Sequence, residues 1–179
     1  WRVDNTLTDV ETYIMERPDS ALVVLDSIDR TLLTTDRLKA HHALLHAMAL
    51  DKNYIDVTDD SIAQVAVDFY QKHGPLKNRA RALYYLGKSY FYQKEYDKAI
   101  LEYSKAEKIA EKCDSLYLGM IKSAQADTYN RTHNSIEELN CSYDAMEIFK
   151  RIGEDQYIRP IMLSLGIAKH NKAMYSDAI

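Results

Sequence analysis

The stretch ALYYLGKSYFYQKEYDKAILEYSKA, from Ala82 to Ala106, decides the fold. Its apolar residues recur three or four positions apart, which is the spacing of one face of a helix. Gly87 and Ala99 are small and Tyr103 is large, so we expect two antiparallel helices that cross closely, with the tyrosine ring filling the space beside the crossing. We therefore expect Gly87 to tolerate alanine but not leucine.

The pattern returns along the chain at a nearly constant spacing. Ala126 lies 39 positions after Gly87, and Ala145 lies 39 positions after Ala106. Gly166 lies 40 positions after Ala126. The middle copy is the weakest, because Glu138 stands where a small residue belongs and Ser142 stands where an aromatic residue belongs. A fixed period of this kind is typical of helical repeat arrays.

This arrangement resembles the tetratricopeptide repeat (TPR) signature, with Leu83 in place of the usual tryptophan. The segments Arg17 to Asp29 and Ala43 to Gly74 are similar to the TPR proteins of gut-type Bacteroidetes. The resemblance implies a right-handed superhelix of antiparallel helix pairs with about 40-residue repeats, in which the first helix of each pair lines a concave groove. It implies one array over 1–179, with pairs near 7–29, 36–73, 77–112, 116–150 and 157–179, the last incomplete.

The composition agrees with an all-α chain. Hydrophobic residues make up 46% of the sequence, and only 5 glycines and 3 prolines are present, too few for the many turns of a β-sandwich. The longest apolar run, Ala21 to Leu25, is far shorter than a membrane span. The net charge of −4 is not that of a nucleic-acid-binding surface. We expect no membrane-spanning segment and no nucleic acid as a partner of this chain.

Local signals predict where the helices begin. Thr8 with Glu11 and Ser135 with Glu138 have the spacing of capping boxes, in which each side chain bonds a free backbone N–H. Pro18 suits the first turn of a helix, where its missing N–H costs nothing. The predicted helices cover 7–16, 18–29, 36–52, 60–73, 77–94, 96–112, 116–132, 135–150 and 157–172, and another begins near 174.

No residues form a recognisable catalytic or metal-binding pattern. His42 and His46 stand one helical turn apart, but no third ligand follows at a fixed offset. Cys113 and Cys141 form no CxxC pair, and the five glycines build no phosphate-binding loop. We expect no catalytic residues, no metal, no cofactor and no enzymatic activity, with the histidines and cysteines as packing residues.

Candidate binding residues form a stripe on the first helix of each pair. By the TPR resemblance this stripe faces the concave groove. Aromatic and basic side chains of this kind are typical anchors of protein interfaces. The predicted binding residues are Arg81, Tyr84, Lys88 and Tyr92, with Ser123, Asp127 and Arg131 at the equivalent positions of the next copy. Tyr84→Ala combined with Lys88→Ala should abolish partner capture while leaving helicity and melting nearly unchanged.

These observations predict a non-enzymatic scaffold or sensor that holds a protein or peptide segment. The alternative is the sensor part of a ligand-gated transcriptional regulator whose DNA-binding segment lies outside this chain. The family resemblance suggests the cell envelope, periplasmic or lipid-anchored, and the alternative is the cytoplasm. Because the last repeat is incomplete, we expect the protein to continue, or the fragment to self-associate through the uncovered face that includes Ile161, Met162, Leu165 and Ala168.

Overall fold

A computed structural model of the chain describes residues 2–166. Within these residues it contains nine α-helices, two short 3-10 turns and no strand. The α-helices are α1 (Arg2–Tyr13), α2 (Pro18–Ser27), α3 (Asp36–Lys52), α4 (Ser61–Tyr70), α5 (Leu76–Tyr92), α6 (Tyr96–Ala110), α7 (Ser115–Arg131), α8 (Ser135–Ile152) and α9 (158–166). The all-α prediction is confirmed. The helix expected from about 174, with Tyr175 and Ala178, lies outside the described residues.

Both predicted capping boxes are wrong, and so is the predicted start of the first helix, whereas α8 begins at Ser135 as predicted. Thr8 does not cap α1, because its hydroxyl donates to the carbonyl of Asp4 at 3.0 Å inside a helix that already began at Arg2. Asn134, not Ser135, caps α8, because its side-chain oxygen accepts from the backbone N–H of Glu137. Pro18 occupies the first turn of α2 as predicted.

The chain divides into two compact units, the first ending at Ala106 and the second beginning at Glu107. In the first unit, each helix from α1 to α4 contacts the helix that follows it in the chain. Its interior is mainly apolar, and the removal of apolar side chains from water is the main favourable contribution to folding. The largest fully buried side chains of this unit are Leu7, Val10, Ile14, Leu25, Leu45, Met48, Val67 and Tyr103.

The helix pair α5–α6 is antiparallel and closely packed. Gly87 faces Tyr103 near the middle of the pair, and Phe91 packs on Tyr96 near the connecting turn, with ring centroids 5.8 Å apart. A methyl group at Gly87 would stand 2.5 Å from Cε1 of Tyr103. Because Tyr103 is only 1% exposed, its ring has no free space to move into. The expectation that Gly87 tolerates alanine is therefore corrected.

The second unit contains the antiparallel pair α7–α8, followed by α9. Gly119 lies against the ring of Phe149 at one end of the pair, and the side-chain amide of Asn130 donates to Glu138 at 2.8 Å at the other. The ammonium of Lys122 bridges Glu107 and Asp144 at 2.8 and 3.1 Å. In α9, Ile161 and Leu165 are buried, whereas the sequence predicted that both would lose their cover; Met162 is 59% exposed.

Candidate functional site

The α5 stripe, defined as Arg81, Tyr84, Lys88 and Tyr92, is less exposed than the sequence predicted. Arg81 is 8% exposed and Tyr84 is 4% exposed, whereas Lys88 and Tyr92 are half-buried. Side chains this deeply buried cannot present an open surface to a partner. The expectation for Arg81 and Tyr84 is therefore corrected: both are interior side chains with intramolecular partners.

Arg81 belongs to an interior charge cluster with Glu11 and His41. His41 Nε2 lies 3.2 Å from one carboxylate oxygen of Glu11, and Arg81 Nη1 lies 3.9 Å from the other. The hydrogen bond from His41, with the nearby positive charges, holds the pKa of Glu11 below its ordinary value although burial opposes this. His41 and Arg81 are separated by the spacing of the sequence repeat, so corresponding positions of two helices converge on one carboxylate.

Tyr84 packs in an aromatic cluster beside the Gly87 crossing. Its ring centroid lies 6.0 Å from that of Tyr103 and 4.9 Å from that of Tyr85. Aromatic pairs at such distances stabilise a protein beyond the area they bury. Tyr84 is therefore a contributor to the packing of the first unit.

Lys88 is engaged with Asp51 of α3 and with Tyr92 of its own helix. The Lys88 ammonium forms an ion pair with the Asp51 carboxylate and stands 5.5 Å from the centre of the Tyr92 ring. Burial disfavours the charged form of Lys88, yet Asp51 and Tyr92 hold the pKa of its ammonium above the ordinary value. The small pocket beside this pair has about 20 Å³ of free volume, room for roughly one water molecule.

The α7 positions are arranged differently. Ser123 is half-buried, and Asp127 and Arg131 are exposed. Ser123 and Asp127 line a cavity of about 100 Å³ between α7, α8 and α9, which we call the α7 cavity. Arg131 does not line it. Among residues 2–166, the lining is Ser123, Ala126, Asp127, Ser142, Pro160, Ile161 and Ser164.

The α7 cavity occupies the place that two tyrosine rings fill in the first unit. At the spacing that separates Gly87 from Ala126, Ser123 corresponds to Tyr84 and Ser142 corresponds to Tyr103. In α5–α6 these two rings pack on each other and Tyr103 lies against Gly87, whereas in α7–α8 each is replaced by a serine. Because a serine side chain is much smaller than a phenol ring, the second unit retains a cavity where the first is filled.

Ser142 is the most unusual residue of the α7 cavity. It is 4% exposed, and its hydroxyl makes no hydrogen bond within residues 2–166. Buried helical Ser89 and Thr128, in contrast, each donate to the carbonyl four residues earlier. The Ser142 hydroxyl is not among the fully enclosed polar atoms of residues 2–166, so a water molecule or a bound group in the cavity can bond it.

The repeat pattern shows that Ser142 replaces an aromatic residue, but Ser142 was not among the binding residues predicted from the sequence. Ser164 was not predicted either. The sequence does contain a signal for Ser142, because the loss of the aromatic residue at this position of the repeat is what leaves the α7 cavity. Ser164 could be found only through the packing of α9, because no feature of the repeat pattern singles it out.

The histidines and cysteines have ordinary intramolecular surroundings. Within residues 2–166, no group of three or more His, Cys, Asp or Glu side chains is placed to hold a metal ion. His42 Nε2 donates to the carbonyl of Leu25 at 3.1 Å. Cys113 is exposed, whereas Cys141 is buried, and burial raises the pKa of its thiol to about 11.

None of the helices in the described part of the chain is both long enough and apolar enough to cross a bilayer. A comparison with protein-family models finds no match to this chain, and a comparison with curated proteins finds none either.

Proposed function

We propose that this chain is a protein- or peptide-binding scaffold of the TPR type and that the α7 cavity receives a side chain of the partner. The observation that carries the proposal is the pair Ser123 and Asp127. Both were selected from the sequence as binding residues, and both line one cavity together with the unpartnered Ser142.

The alignment of the two helix pairs supports a repeat of the TPR type. Gly87 and Tyr103, which touch in α5–α6, correspond at one constant offset to Ala126 and Ser142, which line the same cavity in α7–α8. Two helix pairs that keep one alignment at a constant spacing are what a repeat array requires.

The chemistry of the α7 cavity favours a partner group that donates hydrogen bonds. Three serine hydroxyls can accept them, and the Asp127 carboxylate accepts only. An amide or an ammonium group carries several N–H donors and fits this lining, whereas a carboxylate would be repelled by Asp127. The wall formed by Ala126 and Ile161 offers contact for the carbon chain that carries the donor.

The α5 stripe contributes less to recognition than the sequence suggested. Arg81 and Tyr84 are buried, and Lys88 is paired with Asp51, so a partner would have to break interior contacts to reach them. Recognition in this proposal is therefore concentrated on α7, where Asp127 and Ser123 remain partly accessible. Arg131, which is exposed on the same helix, can add an ionic contact outside the cavity.

The proposal is tested by selecting ligands from a random peptide library with the wild-type chain as bait. We expect enrichment of peptides that carry lysine, asparagine or glutamine at one fixed position. Their affinity should fall at least roughly ten-fold for Asp127→Asn, because removing a central anchor costs more than about 1 kcal/mol. Glu147→Gln is the matched control, since Glu147 is an exposed carboxylate of α8 outside the cavity.

Failure to enrich any peptide, or equal binding to the wild type, Asp127→Asn and Glu147→Gln, would overturn the proposal. Enrichment of peptides with an acidic residue at the fixed position would also overturn it, because such a residue cannot enter beside Asp127 without repulsion.

A further inference from the structure

A second, larger pocket lies in the first unit, between the 3-10 turn Arg30–Leu32, α3 and α4. Its volume is about 340 Å³, within the range of roughly 300–1,000 Å³ that is common for small-molecule sites. All of its lining residues belong to the first unit, and none is part of the α7 cavity. We call it the imidazole pocket.

Four side chains that carry nitrogen dominate the polar lining. They are Arg30, Lys39, His42 and His46. No carboxylate lines the pocket in the described part of the chain. Two carboxylates beside these groups are already engaged, since Asp26 accepts from His46 at 2.9 Å and Asp36 lies 3.4 Å from the Lys39 ammonium. Both carboxylates keep their negative charge but are not part of the lining, so the polar groups that line the pocket itself offer N–H donors to an anion.

The two imidazole rings are held in place by their own hydrogen bonds. His42 and His46 are one helical turn apart, and their rings stack with centroids 5.6 Å apart and an interplanar angle of 20°. His42 Nε2 donates to the carbonyl of Leu25, and His46 Nε2 bonds the Asp26 carboxylate. Both rings are oriented before any ligand arrives, which reduces the entropy lost on binding.

The remaining wall is apolar. Leu33 closes the pocket from the turn, and Ile62 and Val65 line it from α4. Val65 is 43% exposed, so part of its side chain is open to contact with a ligand. A ligand that fits both walls has a negatively charged head and a short apolar body.

We infer that the imidazole pocket binds a small organic carboxylate, with Arg30 and Lys39 contacting the carboxylate and with Leu33, Ile62 and Val65 covering the apolar body. Arginine matches the planar geometry of a carboxylate through paired N–H donors. Lys39 adds a mobile ammonium, and the stacked imidazoles form a flat side wall. This site is independent of the partner-binding function proposed for the α7 cavity.

The test uses three probes of equal chain length and different charge: hexanoate, hexanamide and hexylammonium. Binding is followed by nuclear magnetic resonance titration of the backbone amides of Leu33, His42 and Ser61. We expect hexanoate to bind at least ten-fold more tightly than hexanamide and hexylammonium to cause no saturable shift. Arg30→Gln and Lys39→Gln should each weaken hexanoate at least five-fold, whereas Lys108→Gln on α6 should leave it unchanged.

Equal affinity for hexanoate and hexanamide would overturn the inference, because the pocket would then select only apolar character. Tighter binding of hexylammonium, or no saturable shift with any probe, would overturn it as well. Val65→Trp provides a second check, since an indole over the exposed edge of α4 should abolish the hexanoate shifts without removing a charge. Retention of those shifts in Val65→Trp would place the ligand elsewhere.

Discussion

The ring of Tyr103 lies against the backbone of Gly87, so closely that a methyl group on Gly87 would stand 2.5 Å from Cε1 of Tyr103. The same relationship recurs in the second unit, where a methyl group on Gly119 would stand 2.6 Å from Cε1 of Phe149. In α5–α6 and in α7–α8 one glycine thus sets how closely the two helices approach.

Gly87→Ala and Gly119→Ala should each destabilise the chain by about 1–3 kcal/mol, because the buried rings must shift to admit the methyl group. Urea denaturation followed by circular dichroism measures the change. Gly166→Ala is the control, since a methyl group there meets no atom of residues 2–166 within 4 Å. It replaces a helical glycine, a change worth up to about 1 kcal/mol of stabilisation. A Gly87→Ala variant as stable as the wild type would show that the crossing is not tight.

The close crossing at Gly87 and most helix bounds could be predicted from the sequence, because both depend on the spacing of neighbouring residues. The low exposure of the α5 stripe could not be predicted from the sequence. His41 and Glu11 are 30 positions apart in the chain, and Lys88 and Asp51 are 37 apart, so their pairing depends on tertiary packing that local periodicity does not encode. Gly119 was missed for a similar reason, since it lies against Phe149 at the opposite end of its helix pair from the signature position.

Tyr84→Ala should destabilise the chain by about 3–5 kcal/mol, the usual cost of removing a buried aromatic ring. Ser123→Ala, at the corresponding position of α7, should change stability by less than about 1 kcal/mol because no ring is lost. Thermal melts of the two variants compare the positions directly. If Tyr84→Ala is as stable as the wild type, Tyr84 belongs to the binding surface that was predicted from the sequence.

The two cysteines should differ strongly in reactivity. Cys113 is exposed, whereas Cys141 is buried with a pKa of about 11, so less of its thiol is ionised at neutral pH. We expect iodoacetamide at about pH 8 to modify Cys113 rapidly and Cys141 only after the chain is unfolded in urea. Mass spectrometry of the Cys113→Ser and Cys141→Ser variants assigns each reaction. Rapid modification of Cys141 in the folded chain would contradict its burial.

Stability should fall in mild acid partly through His42. Burial lowers the pKa of His42 below 6.5, so protonation favours the unfolded state. Its contribution is complete above the unfolded pKa near 6.5 and is lost as the pH falls through the lower folded pKa. His42→Gln keeps a donor for the Leu25 carbonyl and should reduce the loss of stability between about pH 7.5 and pH 5.5. The stability of His133→Gln, a change at an exposed position, should vary with pH as that of the wild type does. If the stability of His42→Gln falls with pH as steeply as that of the wild type, His42 does not have this role.

The α7 cavity should be closed by restoring the aromatic residue that the repeat pattern expects. Ser142→Tyr places a ring where Tyr103 lies in the first unit, and it should weaken the selected peptides at least roughly ten-fold. Calorimetric titration measures the affinity, and circular dichroism shows whether the variant folds. If Ser142→Tyr is unstable, Asp127→Asn tests the same cavity without adding volume, and unchanged affinity in a folded variant would exclude the cavity from recognition.

Site-specific photocross-linking tests the central claim most directly. A benzophenone side chain replaces Ser123 in one variant and the exposed Ile136 of α8 in another, and each is irradiated with the highest-affinity selected peptide. The account predicts a cross-link from position 123, competed by unlabelled peptide and lost in the Ser142→Tyr background, and none from position 136. Equal cross-linking from both positions, or cross-linking from 123 that persists with Ser142→Tyr, would contradict it.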